Sequence, residues 1–180
     1  MSNWKIISRK KLLKTKFFEV EKEKILLPNG NKHTYETVIR KPSVMIIPLT
    51  NDYELYLIRQ YRHMFNDYVI EFTAGHIDDG EKALFAAKRE LREETGLIAR
   101  HWEEIGRVEG SASVVQSRLH YFLAKELEEK EPKPEEGETI ELIKIPLKKT
   151  VEMVLEGKVN NLPTMYAILL IEKLVKEKRL

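Results

Sequence analysis

The stretch AAKRELREETGL, Ala86 to Leu97, places Glu90, Glu93 and Glu94 in the last turns of a segment whose apolar spacing is helical. At 3.6 residues per turn, Glu94 lies roughly 40° to one side of Glu90 and Glu93 roughly 60° to the other. All three carboxylates therefore share one side of the helix. Like charges at i,i+4 cost about 0.2–0.5 kcal/mol per pair on an exposed helix. Acids at the C-terminal pole add about 0.3–1 kcal/mol, because the backbone dipole is negative there. Arg89 and Arg92 stand nearby, and the helical spacing aims neither along the centre of the acidic face. A divalent cation would offset the repulsion. Mg²⁺ takes hard oxygen ligands, usually a few carboxylates together with substrate phosphates and water. The chemistry so predicted is metal-assisted phosphoryl transfer on an anionic substrate. The bland alternative is a solvated, glutamate-rich helix end, and spacing alone leaves both open.

Composition bounds the rest. The 180 residues suffice for one domain with a core, or one domain and a small appendage. Charged residues make up 33%, yet the formal net charge is only +2, which gives no case for a nucleic-acid partner. The basic run SRKKLLKTK is read as a solvated strand edge or loop. There are no cysteines, so disulfides, thiolate metal sites and cysteine nucleophiles are excluded. No 18-residue apolar run and no leader-like apolar segment occurs. The expectation is a cytoplasmic protein with no membrane association.

The elements that position the glutamates follow from period. FFEVEKEKILLPNGNKHTYETVIR holds two alternating runs around Asn29-Gly30, a turn pair that tolerates positive φ at both residues. The first 40 or so residues thus form a small antiparallel sheet. SVMIIPLT and YELYLIRQY, separated by NDY, read as a second and more buried hairpin, and YVIEFTAG as a further strand. From Glu81 to Thr95 the period becomes helical through Leu84, Ala87 and Leu91, and Gly96 is the stop. Strands are expected near Glu104–Val108, His120–Ala124 and Thr139–Ile145, and helices over Pro146–Leu155 and Thr164–Lys176. His120 alternates with apolar neighbours and is read as a satisfied strand residue. The class is mixed α+β, with no P-loop and no dinucleotide fingerprint.

Read outward from the helix, Gly75, Glu81, Arg89, Glu90, Leu91, Glu93, Glu94, Gly96 and Leu97 occupy every fixed position of the pattern G-x5-E-x7-R-E-U-x-E-E-x-G-U, U being a bulky apolar residue. This is the signature of the Nudix hydrolases, which the chain resembles. The resemblance implies an α/β/α sandwich with a mixed sheet over residues 42–180, preceded by an N-terminal antiparallel sheet over residues 1–41. It also implies Mg²⁺ or Mn²⁺ held by Glu90, Glu93, Glu94 and the backbone carbonyl of Ala74. Glu81 and Arg89 would pair to hold loop against helix, and the loop beginning at Gly75 would approach a diphosphate.

Upstream, Arg59-Gln60-Tyr61-Arg62 and Glu71-Phe72-Thr73-Ala74-Gly75 resemble the ADP-ribose pyrophosphatase branch, with Thr73 where that branch has proline. This similarity implies cleavage of ADP-ribose to AMP and ribose 5-phosphate, and a homodimer built through the N-terminal sheet. Arg62, or less favoured Arg59, would clamp the diphosphate; three residues apart, they face opposite sides of a regular strand. Phe18 or its neighbour Phe17 would stack on the base. Glu136 or Glu138, in the loop PEEGETIE, would act as catalytic base, with Glu94 at the metal. A proline-glycine pair expected beyond the signature is replaced by Ala112 and Ser113, which leaves other nucleotide sugars, GDP-mannose among them, as alternatives. An alternative of another class is a non-hydrolytic nucleotide sensor, against which the intact glutamates count. A Nudix enzyme for nucleoside triphosphates is disfavoured by the N-terminal sheet.

Overall fold

The computed structural model describes residues 4–110, 113–132 and 140–180. Strands β1 (Lys5–Lys14), β2 (Phe18–Leu26) and β3 (Lys32–Arg40) form the expected antiparallel N-terminal sheet, in which β2 and β3 are the two alternating runs and β1 takes up most of the basic run. The β2–β3 turn differs in detail from the expected pair of positive-φ residues. Gly30 alone has positive φ, at 83°, and its N–H donates to the Leu27 carbonyl at 2.9 Å. The Pro28 ring fixes φ near −65°, which suits the first central position of an ordinary type I turn. Pro28 and Asn29 thus take the turn, and only the residue after it must be left-handed.

The predicted second hairpin does not form. β4 (Ser43–Pro48) and β5 (Glu54–Arg62) follow each other through a short turn, but only the Leu49–Leu55 bridge pairs them. They lead into different sheets. The physical reason is burial on both faces. Val44 to Pro48 are buried without a break, and Leu55 to Ile58 likewise. A strand buried on both sides carries no alternation to fix its neighbour. The expected single strand YVIEFTAG also divides, into β6 (Asp67–Glu71) and β7 (Ala74–His76). Phe72 and Thr73 between them are buried, and the chain changes sheets there.

Helix α1 (Ala83–Thr95) ends at Gly96, whose φ of 72° makes it the left-handed stop that the sequence predicts. A side chain there would strike the Lys130 carbonyl, because Lys130 N–H donates to the Gly96 carbonyl at 2.9 Å. β8 (Leu97–Glu109) begins immediately, well before the expected Glu104. After β9 (Val115–Gln116) come β10 (Arg118–Glu129), β11 (Ile140–Pro146), α2 (Leu147–Leu155) and α3 (Leu162–Lys176). The strand orders are β1-β2-β3-β9, β7-β4-β10-β8 and β11-β5-β6, with β4 parallel to β10 and β9 parallel to β3.

Alternation along β4 and β10 divides the core in two. Val44, Ile46, Phe122 and Ala124 face α1 and pack with Ala86, Ala87 and Leu91. Met45, Ile47, Tyr121 and Leu123 face the other way, onto Leu147 of α2 and Ala167, Ile168 and Ile171 of α3. The result is an α/β/α sandwich with α1, among the described residues, alone on one face. Asn161 caps α3, its Oδ1 accepting from Thr164 N–H at 3.2 Å, while its Nδ2 donates to buried Glu71 at 3.1 Å. Asn161→Ala is expected to lower stability by about 0.5–2 kcal/mol, the range for loss of such a cap; chemical denaturation measures it. Among the described residues no helix is long and apolar enough to cross a membrane.

Candidate active site

The site starts from a short loop fastened to a helix. Asp78 N–H donates to Glu81 Oε2 at 3.1 Å and closes the turn before α1. Arg89, two turns along, reaches back. Its Nε and Nη2 donate to the two Glu81 carboxylate oxygens at 3.2 and 3.0 Å, and Nη2 also donates to the His76 carbonyl at 3.1 Å. This is the loop-to-helix pair that the signature implies. Hydrogen bonding from Arg89 holds the Glu81 carboxyl below its usual range. Glu81, followed by Glu90, raises the Arg89 guanidinium above its own.

The same arginine corrects one expectation. Arg89 Nη1 donates to Glu90 Oε1 at 2.7 Å and to Glu93 Oε2 at 3.4 Å, so a cation does lie along the acidic face. Helical spacing places Cα positions, whereas a guanidinium on a long stem can fold back across its neighbours. Among the described residues, no three acidic or histidine side chains form a ready-made metal cage. The donor set nonetheless suits a hard dication. Glu90, Glu93 and Glu94 all line one cleft of about 290 Å³ with Ala74 and Gly75. One Glu94 oxygen, Oε2, is fully buried. Gly75 is required by proximity: a Cβ there would lie 2.0 Å from the Glu90 carboxylate.

Most of the remaining wall comes from residues that sequence reasoning did not select, Phe17, named there with Phe18 for base stacking, being the exception. Lys16, Phe17 and Lys41 line the same cleft, with His76 and Asp78. The Phe17 ring is exposed, its centroid 6.3 Å from that of His76, and the Lys16 ammonium lies 5.5 Å from its centre. Burial lowers the His76 pKa, assisted by the charges of Arg40 and Lys41. Lys16 stood at the end of a basic run read as solvated. A run of cations shows charge, but not which surface will face it.

The other expected residues stand elsewhere. Phe18 lies in the adjoining cavity with Thr15 and Arg40, rather than beside the glutamates. Arg62 donates to Glu71 at 2.6 Å, and Arg59 pairs with Glu141 at 3.1 Å while stacking on Tyr68 at 4.3 Å. Neither arginine is among the residues lining the acidic cleft. Burial raises the Glu71 carboxyl, and Arg62 opposes that shift. Glu136, Glu138 and Ala112 lie outside the described residues. His120 rests its Nδ1 2.7 Å from Glu104, whose carboxyl is pushed to about 2, chiefly by the Arg107 hydrogen bond. That makes His120 a held strand residue, as its alternation suggests.

Comparison with known proteins agrees with this geometry. The family model of the NUDIX domain matches residues 39–164. The chain is 30% identical over 166 residues to the "ADP-ribose pyrophosphatase" of Bacillus subtilis (strain 168), covering 91% of this chain and 90% of that protein. It is 26% identical over 166 residues to the "Methanol dehydrogenase activator" of Bacillus methanolicus, with the same coverage of 91% and 90%. A crystal structure described as an "ADP compounds hydrolase" superposes with a TM-score of 0.86 at 26% identity, covering 97% of this chain and 95% of that one. With its signature loop bolted to the acidic helix, the chain belongs to the NUDIX family, in the ADP-ribose pyrophosphatase-like branch.

Proposed function

We propose that this chain hydrolyses the diphosphate bond of ADP-ribose, yielding AMP and ribose 5-phosphate, with Mg²⁺ or Mn²⁺ held by Glu90, Glu93, Glu94 and the Ala74 carbonyl. One observation carries the reading: the three carboxylates of α1 share a cleft with Lys16, Lys41 and Phe17. A nucleotide sugar needs such a combination of oxygen ligands, cations and an aromatic face. Nudix hydrolases in general use divalent metals, and the activities named for the B. subtilis relative and for the matching crystal structure support an ADP-containing substrate.

A bound dication supplies charge neutralisation and acidifies an attacking water. The chain's residues do the rest. Arg89 holds Glu90 and Glu93 until the ligand arrives, and keeps the Gly75 loop against the helix through Glu81. Lys16 and Lys41 attract the diphosphate. Phe17, of the pair Phe17 and Phe18, takes the base-stacking role, since it is the one that lines the acidic cleft. Arg62, the arginine favoured for the diphosphate, is held by Glu71, and Arg59 is left to its surface pair. Glu136 or Glu138 takes the proton from water, and each is tested by its glutamine variant.

A homodimer through residues 1–41 belongs to the same proposal. All of β1 is exposed, including Ile6, Ile7, Leu12 and Leu13, and it forms a sheet edge. Such an edge is ordinarily covered. Cytoplasmic residence is proposed from the lack of cysteine.

The test is incubation with ADP-ribose and Mg²⁺, together with a panel of nucleotide sugars including GDP-mannose, and product identification. AMP formation that stops on chelation is the expected result. Intact substrate alongside a clear thermal shift would favour the sensor instead.

A further inference from the structure

We propose that the chain carries a second ligand site, on the flank of α1 that meets β8, for a nucleoside monophosphate. A cavity of about 660 Å³ lies there, within the roughly 300–1,000 Å³ usual for small-molecule sites. Leu97 and Ala99, both buried, contribute apolar lining. Trp102 supplies a half-buried indole whose N–H donates to the Ala99 carbonyl at 2.9 Å, which fixes the ring. Lys88 and Arg92 supply the charge. Among the described residues neither pairs with a carboxylate, although the protein is otherwise dense in ion pairs; the Lys88 ammonium instead lies 5.9 Å from the Trp102 ring centre.

The chemistry of the walls defines the ligand. A held indole beside apolar lining suits a flat aromatic ring, because any base offers a π-face that can stack on it. Two cations four residues apart on one helix suit a phosphate, which accepts charge-assisted hydrogen bonds from both. A phosphate drawn to Lys88 brings its attached base to Trp102. Glu93 is the one acid among the described lining residues, so this cavity lacks the carboxylate set of the first.

Arg89 and Glu93 line both cavities. Their mutual contact, at 3.4 Å, is the longest of the Arg89 hydrogen bonds. A phosphate on the Lys88 side competes for Arg89 and breaks that contact first, which changes the charge balance in the acidic cleft. Nucleotide binding and the acidic site are thereby coupled. The coupling rests on the hydrolytic reading above, whereas the binding site does not.

The experiment uses the full chain carrying Trp4→Phe, which leaves Trp102 as the remaining indole. AMP is titrated in the presence of a chelator while tryptophan fluorescence is read. Saturable quenching is expected, weakened at least 10-fold in Lys88→Ala/Arg92→Ala, whose turnover of ADP-ribose without added AMP stays unchanged. A Lys88→Gln/Arg92→Gln variant serves if the alanine pair folds poorly. Inorganic phosphate at equal concentration should leave the fluorescence unaltered. Absence of quenching, quenching indifferent to both double variants, or equal quenching by phosphate would overturn the site. Quenching by AMP in a protein inert toward ADP-ribose would leave the site standing and remove the hydrolytic reading.

Discussion

Glu94→Gln keeps the fold and loses turnover by about 10²- to 10³-fold, the loss typical of removing one electrostatic stabiliser from a reaction centre. The substitution preserves shape and removes one charge. Glu94 lies in the last turn of α1 with an oxygen fully buried at the cleft. An amide there still fills space but offers a dication a neutral oxygen in place of a carboxylate. Stability should hold or rise slightly, because the i,i+4 repulsion with Glu90 is worth about 0.2–0.5 kcal/mol and disappears. The measurement pairs kcat on ADP-ribose across a Mg²⁺ titration with thermal unfolding of the same samples. Unaltered kcat at every metal concentration would sink the metal role.

Gly75→Ala comes second, with a loss of about 10²-fold expected from misplacing a reacting group by roughly 1 Å. The added methyl would sit 2.0 Å from the Glu90 carboxyl carbon and one oxygen, and 2.5 Å from the other oxygen. Glu90 cannot retreat freely, since Arg89 holds it at 2.7 Å and is itself tied to Glu81 and the His76 carbonyl. Either the carboxylate swings out of the cleft or the loop lifts from α1. Overpacking of this kind costs about 1–3 kcal/mol of stability. Kinetics with ADP-ribose and a denaturation curve report the two effects separately. A fully active Gly75→Ala protein would mean that Glu90 has no fixed position in the reaction.

Arg89 shows why the two variants differ in kind. It joins loop, helix and two of the three glutamates, so Gly75→Ala strains a connected network. Glu94→Gln changes one charge and leaves the Arg89 bonds to Glu90 and Glu93 with their own partners.

Much of the molecule was legible in local patterns. The spacing of Glu90, Glu93 and Glu94, the Gly96 stop, the Glu81–Arg89 pair, the two strands around Asn29-Gly30 and both C-terminal helices all follow from short periods and from one signature. These depend on residues within a few turns of each other, where backbone geometry dictates who is neighbour to whom. Tertiary structure decided the rest. β4 and β5 adjoin in sequence yet head separate sheets, because a strand apolar on both faces accepts any deep neighbour. Lys16 and Phe17 reach the acidic cleft although some seventy positions separate them from Glu90. The direction of the Arg89 guanidinium was likewise settled by what surrounds it. Sequence determines chemistry where the partners are close along the chain; where they meet across it, the outcome rests on how distant buried faces pack.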